Sequence, residues 1–214
     1  MTNLYTTEGL KQLNELQRAK EANRAFGAWN AAVFQEGALS TKLKELIAVA
    51  SGTATGCAYC LHLHTKAAVK AGATKDEIAE AAFVASALKA GSVFAHSANS
   101  LRTYDEEEGE TLYAKQYFKK TGELAKLAPE AFRTFVQFSE EATKEGVLTV
   151  KEKELIAVAI AHITACSYCI DIHTTAAKRV GVTKEELAEA IFVASALNAG
   201  SAYAHSINAF QTIE

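Results

Sequence analysis

Apolar residues recur at three- to four-residue spacing through most of the chain, the period of an amphipathic helix. Over residues 8–36 the stripe is Leu10, Leu13, Leu16, Ala22, Phe26, Trp29 and Val33, which predicts a helix stopping near Gly37. Ser40 or Thr41 is placed to cap the next helix, whose apolar face is Leu43, Leu46, Ile47 and Ala50. Gly56 permits a break, and a third helix then runs from Cys57 to about Gly72. Thr74 and Glu77 form a capping box that starts a helix over 75–89. Gly91 is expected to open a last helix carrying Phe94 and His96. The alternation Leu61-His62-Leu63-His64 is too short to predict a strand.

The whole pattern then repeats. Adding 109 to residues 42–100 gives residues 151–209, and direct alignment finds 36 of 59 positions identical. Phe135 and Phe138 match Phe26 and Trp29, and the pairs Thr149/Glu152 and Thr183/Glu186 are further capping boxes. A repeat this clear predicts two equivalent halves, 1–107 and 108–214, able to share one core. The acidic run 105–108, with Gly109, is expected to be the junction, a solvated linker or helix start. Ala81, Ala82, Ala85, Ala190 and Ala194 give faces that let helices approach closely. The predicted fold is all-α, two tandem pseudo-symmetric helical repeats.

Composition agrees: half the residues are apolar, and Pro129 is the single proline. The net charge is −3 with no basic stripe, which argues against nucleic acid. No apolar run reaches the roughly 18 residues of a membrane span, and the N-terminus has no apolar signal core. A cytoplasmic protein is expected, with no membrane partner.

All four cysteines lie in two CxxC pairs, Cys57/Cys60 and Cys166/Cys169. Two cysteines three apart on a helix share a side and can close a disulfide. His64 and His173 lie four residues beyond the second cysteine, one helical turn away, placed to take a thiol proton. Glu45 and Glu154, on the preceding helix, can orient that histidine. The second cysteine is therefore expected to attack and the first to resolve. A four-ligand zinc site is the competing use of Cys, Cys, His and Glu, but three ligands on one helix spread poorly for a tetrahedron.

The spacing glutamate, eleven residues, CxxC, three residues, histidine resembles the carboxymuconolactone decarboxylase family, specifically its alkylhydroperoxidase D-like branch. Glu45-Cys57-Cys60-His64 fits, and Glu154-Cys166-Cys169-His173 fits again. The resemblance implies an alkylhydroperoxidase D-like helical fold. It also implies peroxide reduction by the second cysteine, a disulfide with the first, and a glutamate–histidine proton relay. Best-studied members of that branch have a histidine between the cysteines, where this chain has Tyr59 and Tyr168. The resemblance further implies a homo-oligomer, a trimer for a tandem chain. Family members proper that act on lactones lack the CxxC.

No flavin, haem or nucleotide motif is visible, so no cofactor is expected and the reductant is an external dithiol or a protein. The alternatives are a metal-binding or structural helical assembly protein, or a family member acting on a lactone or other small molecule. His96 and His205 repeat within AHSAN and AHSIN; the expected role is a buried histidine satisfied by a backbone carbonyl, or a group near the thiols. His62 and His162 have no counterparts, facing Asp171 and Thr53. Phe83, Phe192, Phe94 and Tyr203 are expected in the core or along a substrate wall.

Overall fold

The computed structural model of the chain describes residues 6, 9, 19–107, 109, 111 and 113–213, with side chains to residue 209. The stripe residues Leu10, Leu13 and Leu16 lie outside these. The helices are α1 (Lys20–Val33), α2 (Thr41–Thr55), α3 (Ala58–Lys70) and α4 (Lys75–Tyr104) in the first half. A 3-10 segment (Lys115–Glu123), α5 (Leu124–Leu127), α6 (Pro129–Thr143), α7 (Val150–Ile163), α8 (Ser167–Arg179) and α9 (Lys184–Ile213) follow. No strand occurs among the described residues, and the fold is all-α as the pattern predicts.

The caps are those the sequence announces. Ser40 Oγ accepts from the Leu43 amide at 3.2 Å. Capping boxes close at Thr74/Glu77 and Thr149/Glu152, and Thr183 and Glu186 exchange the same two hydrogen bonds. At the other end of α2, Gly56 adopts a left-handed φ of 70° and Cys57 N bonds back to Gly52 O at 3.0 Å, a Schellman turn. Its counterpart Ala165 sits at φ 52° with Cys166 N on Ala161 O. A Cβ is unfavourable there, so Ala165→Gly should raise stability by about 0.5–1 kcal/mol, read by urea denaturation.

α2 is buried on all sides from Leu43 to Gly52, not along one face. α7 repeats this over Lys153 to Ala161. Helices buried all round belong at the centre, and α2 and α7 pack against each other there. α9 of the second half covers α2 and α3, while α4 of the first half covers α7 and α8. Each long helix thus packs on the central helix of its own half and reaches across to the other half, and one hydrophobic cluster draws on both.

Several expectations need correction. α4 runs unbroken through Gly91 and α9 through Gly200. An interior glycine costs only about 1 kcal/mol; burial of Ala85, Leu88, Ala95 and Ala98 on either side of Gly91 outweighs it. His96 therefore lies mid-helix. α4 is also long and apolar enough to span a membrane, with an 18-residue window of mean hydropathy 1.4, of which 39% is buried inside this fold. Lys89 interrupts the run in sequence and hid it. Phe83 and Phe192 are 58% and 55% exposed, on the outer faces of α4 and α9, not in the core. The described acidic residues 105–107 are exposed, as expected of a junction, and two of them are also paired: Asp105 with Lys120 at 2.6 Å, and Glu107 with the same ammonium. That lysine, invisible as a partner in sequence, holds the 3-10 segment to the end of α4.

A reciprocal interlock ties the halves together. Glu189 on α9 accepts from the amides of Ala38 and Leu39 at 2.9 and 2.8 Å and pairs with Lys44 at 3.0 Å. Glu80 on α4 does the same for Val147, Leu148 and Lys153, at 3.0, 2.9 and 3.0 Å. Both lysine side chains are only 3% exposed. Each also donates to a loop carbonyl, Lys44 to Gln35 and Lys153 to Lys144.

Candidate functional site

Each CxxC begins where a central helix ends. The Schellman turn delivers Cys57 as the N-cap of α3, and its Sγ accepts from the Cys60 amide at 3.1 Å. Cys166 caps α8 in the same way, at 3.3 Å from Cys169 N. Both pairs are joined as disulfides, with Cα–Cα separations of 5.2 and 5.3 Å. The first cysteine of each pair is fully buried, whereas the second is 5% exposed. Access thus favours the second sulfur, while the amide bond and helix N-terminus favour negative charge on the first.

One turn below, the histidine meets its glutamate. His64 Nδ1 lies 2.8 Å from Glu45 Oε2, and His173 Nδ1 lies 2.9 Å from Glu154 Oε2. The glutamates reach over from α2 and α7, so the contact depends on the packing of α2 on α3 and α7 on α8. An ionised carboxylate at this distance accepts from Nδ1–H, which leaves the neutral ring with an acceptor lone pair on Nε2. All eight residues singled out by spacing come together as two matching sets of four.

The sets differ in their surroundings. His64 stacks on Phe34, with centroids 5.2 Å apart; the equivalent of Phe34 is Thr143. Asp171, standing where the first half has His62, pairs with Lys115 of the 3-10 segment at 2.6 Å. His162 Nδ1 donates to Val158 O at 2.8 Å and lines a cavity of about 240 Å³ with Ile163, Ile191, Ala194, Ser195 and Asn198. That cavity contains no cysteine among its walls.

His96 and His205 were only partly anticipated. His96 lies 6.5 Å from the Tyr168 ring, and His205 lies 6.3 Å from Tyr59. Each histidine therefore lies beside the tyrosine of the opposite half's CxxC. Their shared repeat signals equivalence, but the reach of each long helix across to the other half, which decides what these histidines lie beside, has no mark in the sequence. The expected backbone carbonyl is not there for His96, whose Nε2 is buried without a hydrogen-bond partner. Among the described residues no group of three or more His, Cys, Asp and Glu side chains is arranged to hold a metal ion.

The model of the carboxymuconolactone decarboxylase family matches this chain twice, over residues 20–102 and 129–212. The chain belongs to the carboxymuconolactone decarboxylase family. The two matches coincide with the two halves built around α2 and α7. "Uncharacterized protein 4 in cox locus" of Paracoccus denitrificans is 39% identical over 93 residues, 44% of this chain and 84% of that protein. A Haemophilus influenzae protein is also 39% identical over 93 residues, 82% of its length. Such relatives of the family match about one repeat of this tandem chain. The tandem fold itself recurs in a crystal structure from Burkholderia xenovorans LB400 that carries a provisional gamma-carboxymuconolactone decarboxylase subunit designation. It aligns with a TM-score of 0.71 at 20% identity, covering 96% of this chain and 94% of that one.

Proposed function

We propose that this family member is a dithiol-dependent peroxidase that reduces hydroperoxides at two CxxC sites. The observation that carries the proposal is the pairing of Glu45 with His64 and Glu154 with His173, each beneath a CxxC able to close as a disulfide. Neither a structural disulfide nor a helix-surface histidine calls for a buried carboxylate on Nδ1, at 2.8 Å in one half and 2.9 Å in the other.

The steps follow from the groups present. His64 or His173 takes the proton of Cys60 or Cys169 at Nε2, and the glutamate stabilises the resulting imidazolium. The thiolate attacks one peroxide oxygen, the S–O bond forms as the O–O bond breaks, and the departing alkoxide is protonated to the alcohol. Cys57 or Cys166 then attacks the sulfenic sulfur and water leaves, giving the disulfide. An external dithiol, small or protein-borne, restores both thiols by exchange. Closing the pair asks for little backbone movement, since the Cα atoms stand within the usual disulfide range.

Sustained consumption of cumene hydroperoxide with a dithiol such as dihydrolipoamide, giving one alcohol per peroxide, tests the reading. Consumption no faster than in buffer would overturn it. Within the same reading, Glu45→Gln with Glu154→Gln should slow thiol oxidation about 10- to 100-fold, because the imidazole loses its orienting anion. Rapid-mixing measurement of Cys60 and Cys169 oxidation checks this.

Self-association as a trimer with six sites belongs to the proposal. The exposed Phe83 and Val93 on α4 and Phe192 on α9 supply apolar surface for it. Sedimentation at three times 22.9 kDa is the expected result.

A further inference from the structure

Two polar atoms beside the second CxxC are shut away from solvent with no hydrogen-bond partner: the Tyr168 hydroxyl and His96 Nε2. Tyr168 stands between Cys166 and Cys169 on α8 and is 5% exposed. His96 comes from α4, in the other half. Their rings are neighbours, with centroids 6.5 Å apart. Tyr113 touches both, at 5.9 Å from His96 and 5.8 Å from Tyr168, and Phe118 lies 5.6 Å from Tyr168.

A buried donor or acceptor left unpaired costs about 1–3 kcal/mol, so two of them on neighbouring rings call for a reason beyond packing. The surrounding rings suit an apolar group, and the two polar atoms suit oxygens carried by it. Resting on the peroxidase reading above, we propose that Tyr168 and His96 hold the hydroperoxide at the Cys166–Cys169 site. Tyr168 donates to the oxygen that leaves as the alcohol, and His96 Nε2 accepts from the terminal peroxide O–H.

The step balances without another reactant. The Cys169 thiolate takes the terminal oxygen, the O–O bond breaks, and charge gathers on the alkoxide, to which the Tyr168 hydroxyl supplies a proton. The proton that His173 took from the thiol replaces it, so thiol and hydroperoxide yield sulfenic acid and alcohol. Burial pushes the Tyr168 phenol above its ordinary range against the opposing pull of Arg102, which keeps it a donor at neutral pH. The same two ring types, Tyr59 and His205, meet at the first site. Each site is thereby completed by the long helix of the opposite half, and a single half carries only part of one.

Tyr168→Phe in the full chain tests this, because one atom is removed and the first site remains as an internal control. The reduced protein is mixed with cumene hydroperoxide, and oxidation of each CxxC peptide is followed by mass spectrometry. The pair Cys166/Cys169 should oxidise about 10- to 100-fold more slowly than in the parent. The pair Cys57/Cys60 and the iodoacetamide alkylation rate of Cys169 should stay within about twofold. His96→Gln should slow the same pair selectively. An unchanged peroxide rate at Cys169, or equal slowing of peroxide and iodoacetamide reactions, would overturn this inference and leave the peroxidase reading standing. A parent protein whose thiols peroxide does not oxidise would overturn both.

Discussion

On the peroxidase proposal, serine at both Cys60 and Cys169 should bring hydroperoxide turnover to background, while serine at both Cys57 and Cys166 should permit one burst of consumption and then arrest. The difference comes from the geometry around each sulfur. The second cysteine keeps a residual 5% exposure and has the histidine one turn below it; the first is wholly enclosed. Without the second, no sulfur is reachable for attack. Without the first, the sulfenic acid forms and finds no resolving thiol, so dimedone should trap it at Cys60 and Cys169. The single variant Cys169→Ser should keep the first site working, because it leaves that site's four groups and the neighbouring His205 untouched. The competing expectation, from the amide and helix N-terminus that favour charge on the first sulfur, is the reverse pattern. Dimedone labelling at Cys57 or Cys166 would select it.

Breaking the reciprocal interlock has the largest expected effect on stability. Glu80→Ala removes the acceptor for the Val147 and Leu148 amides and strands Lys153, an ammonium buried to 3% exposure. A buried cation without its anion is costly, and about 3 kcal/mol is expected because the carboxylate is itself part-solvated. For a chain of this length that lowers the melting temperature by about 6–12 °C. Glu189→Ala should do the same at the other junction, through Ala38, Leu39 and Lys44.

The same pair sets an acid limit. Burial alone would raise Glu80 and Glu189. The loop amides outweigh it, with help from Lys153 and Lys44, and hold both carboxyls below their usual value of 4.5. Glu77 and Glu186 are lowered too, Glu77 chiefly by Lys42, Glu186 by Lys151 against burial. A depressed folded value means the stabilisation is complete above about pH 4.5 and is lost as pH falls through the folded value. Thermal unfolding against pH should therefore drop below about 4.5, and the slope should be shallower in the double variant Glu80→Ala, Glu189→Ala. An equal slope in both would remove the interlock from the account of acid sensitivity.

Much of this was legible in the sequence. The 109-residue offset gave the two halves, the Thr/Glu pairs marked three helix starts, and the fixed spacing named all eight residues that meet at the two sites. Helical period and cap chemistry are local, so one chain suffices to read them. What stayed hidden is non-local. A repeat says that α4 and α9 are equivalent; it cannot say that each covers the other half, which decides where His96, His205, Glu80 and Glu189 act. Gly91 looked like a break because a glycine's local cost is visible and the packing that offsets it is not. Residues 105–107 are exposed as the sequence suggests, but the partner of Asp105 and Glu107, Lys120, lies beyond the turn and has no local mark.

Titrating the fully reduced chain with cumene hydroperoxide, with no other reductant present, tests the central claim most directly. Four free thiols per chain should fall to none over two equivalents of peroxide, with both CxxC pairs closed within the chain and two alcohols released. Thiols that remain at four after excess peroxide, or one pair that never closes, would contradict two complete thiol sites in one chain.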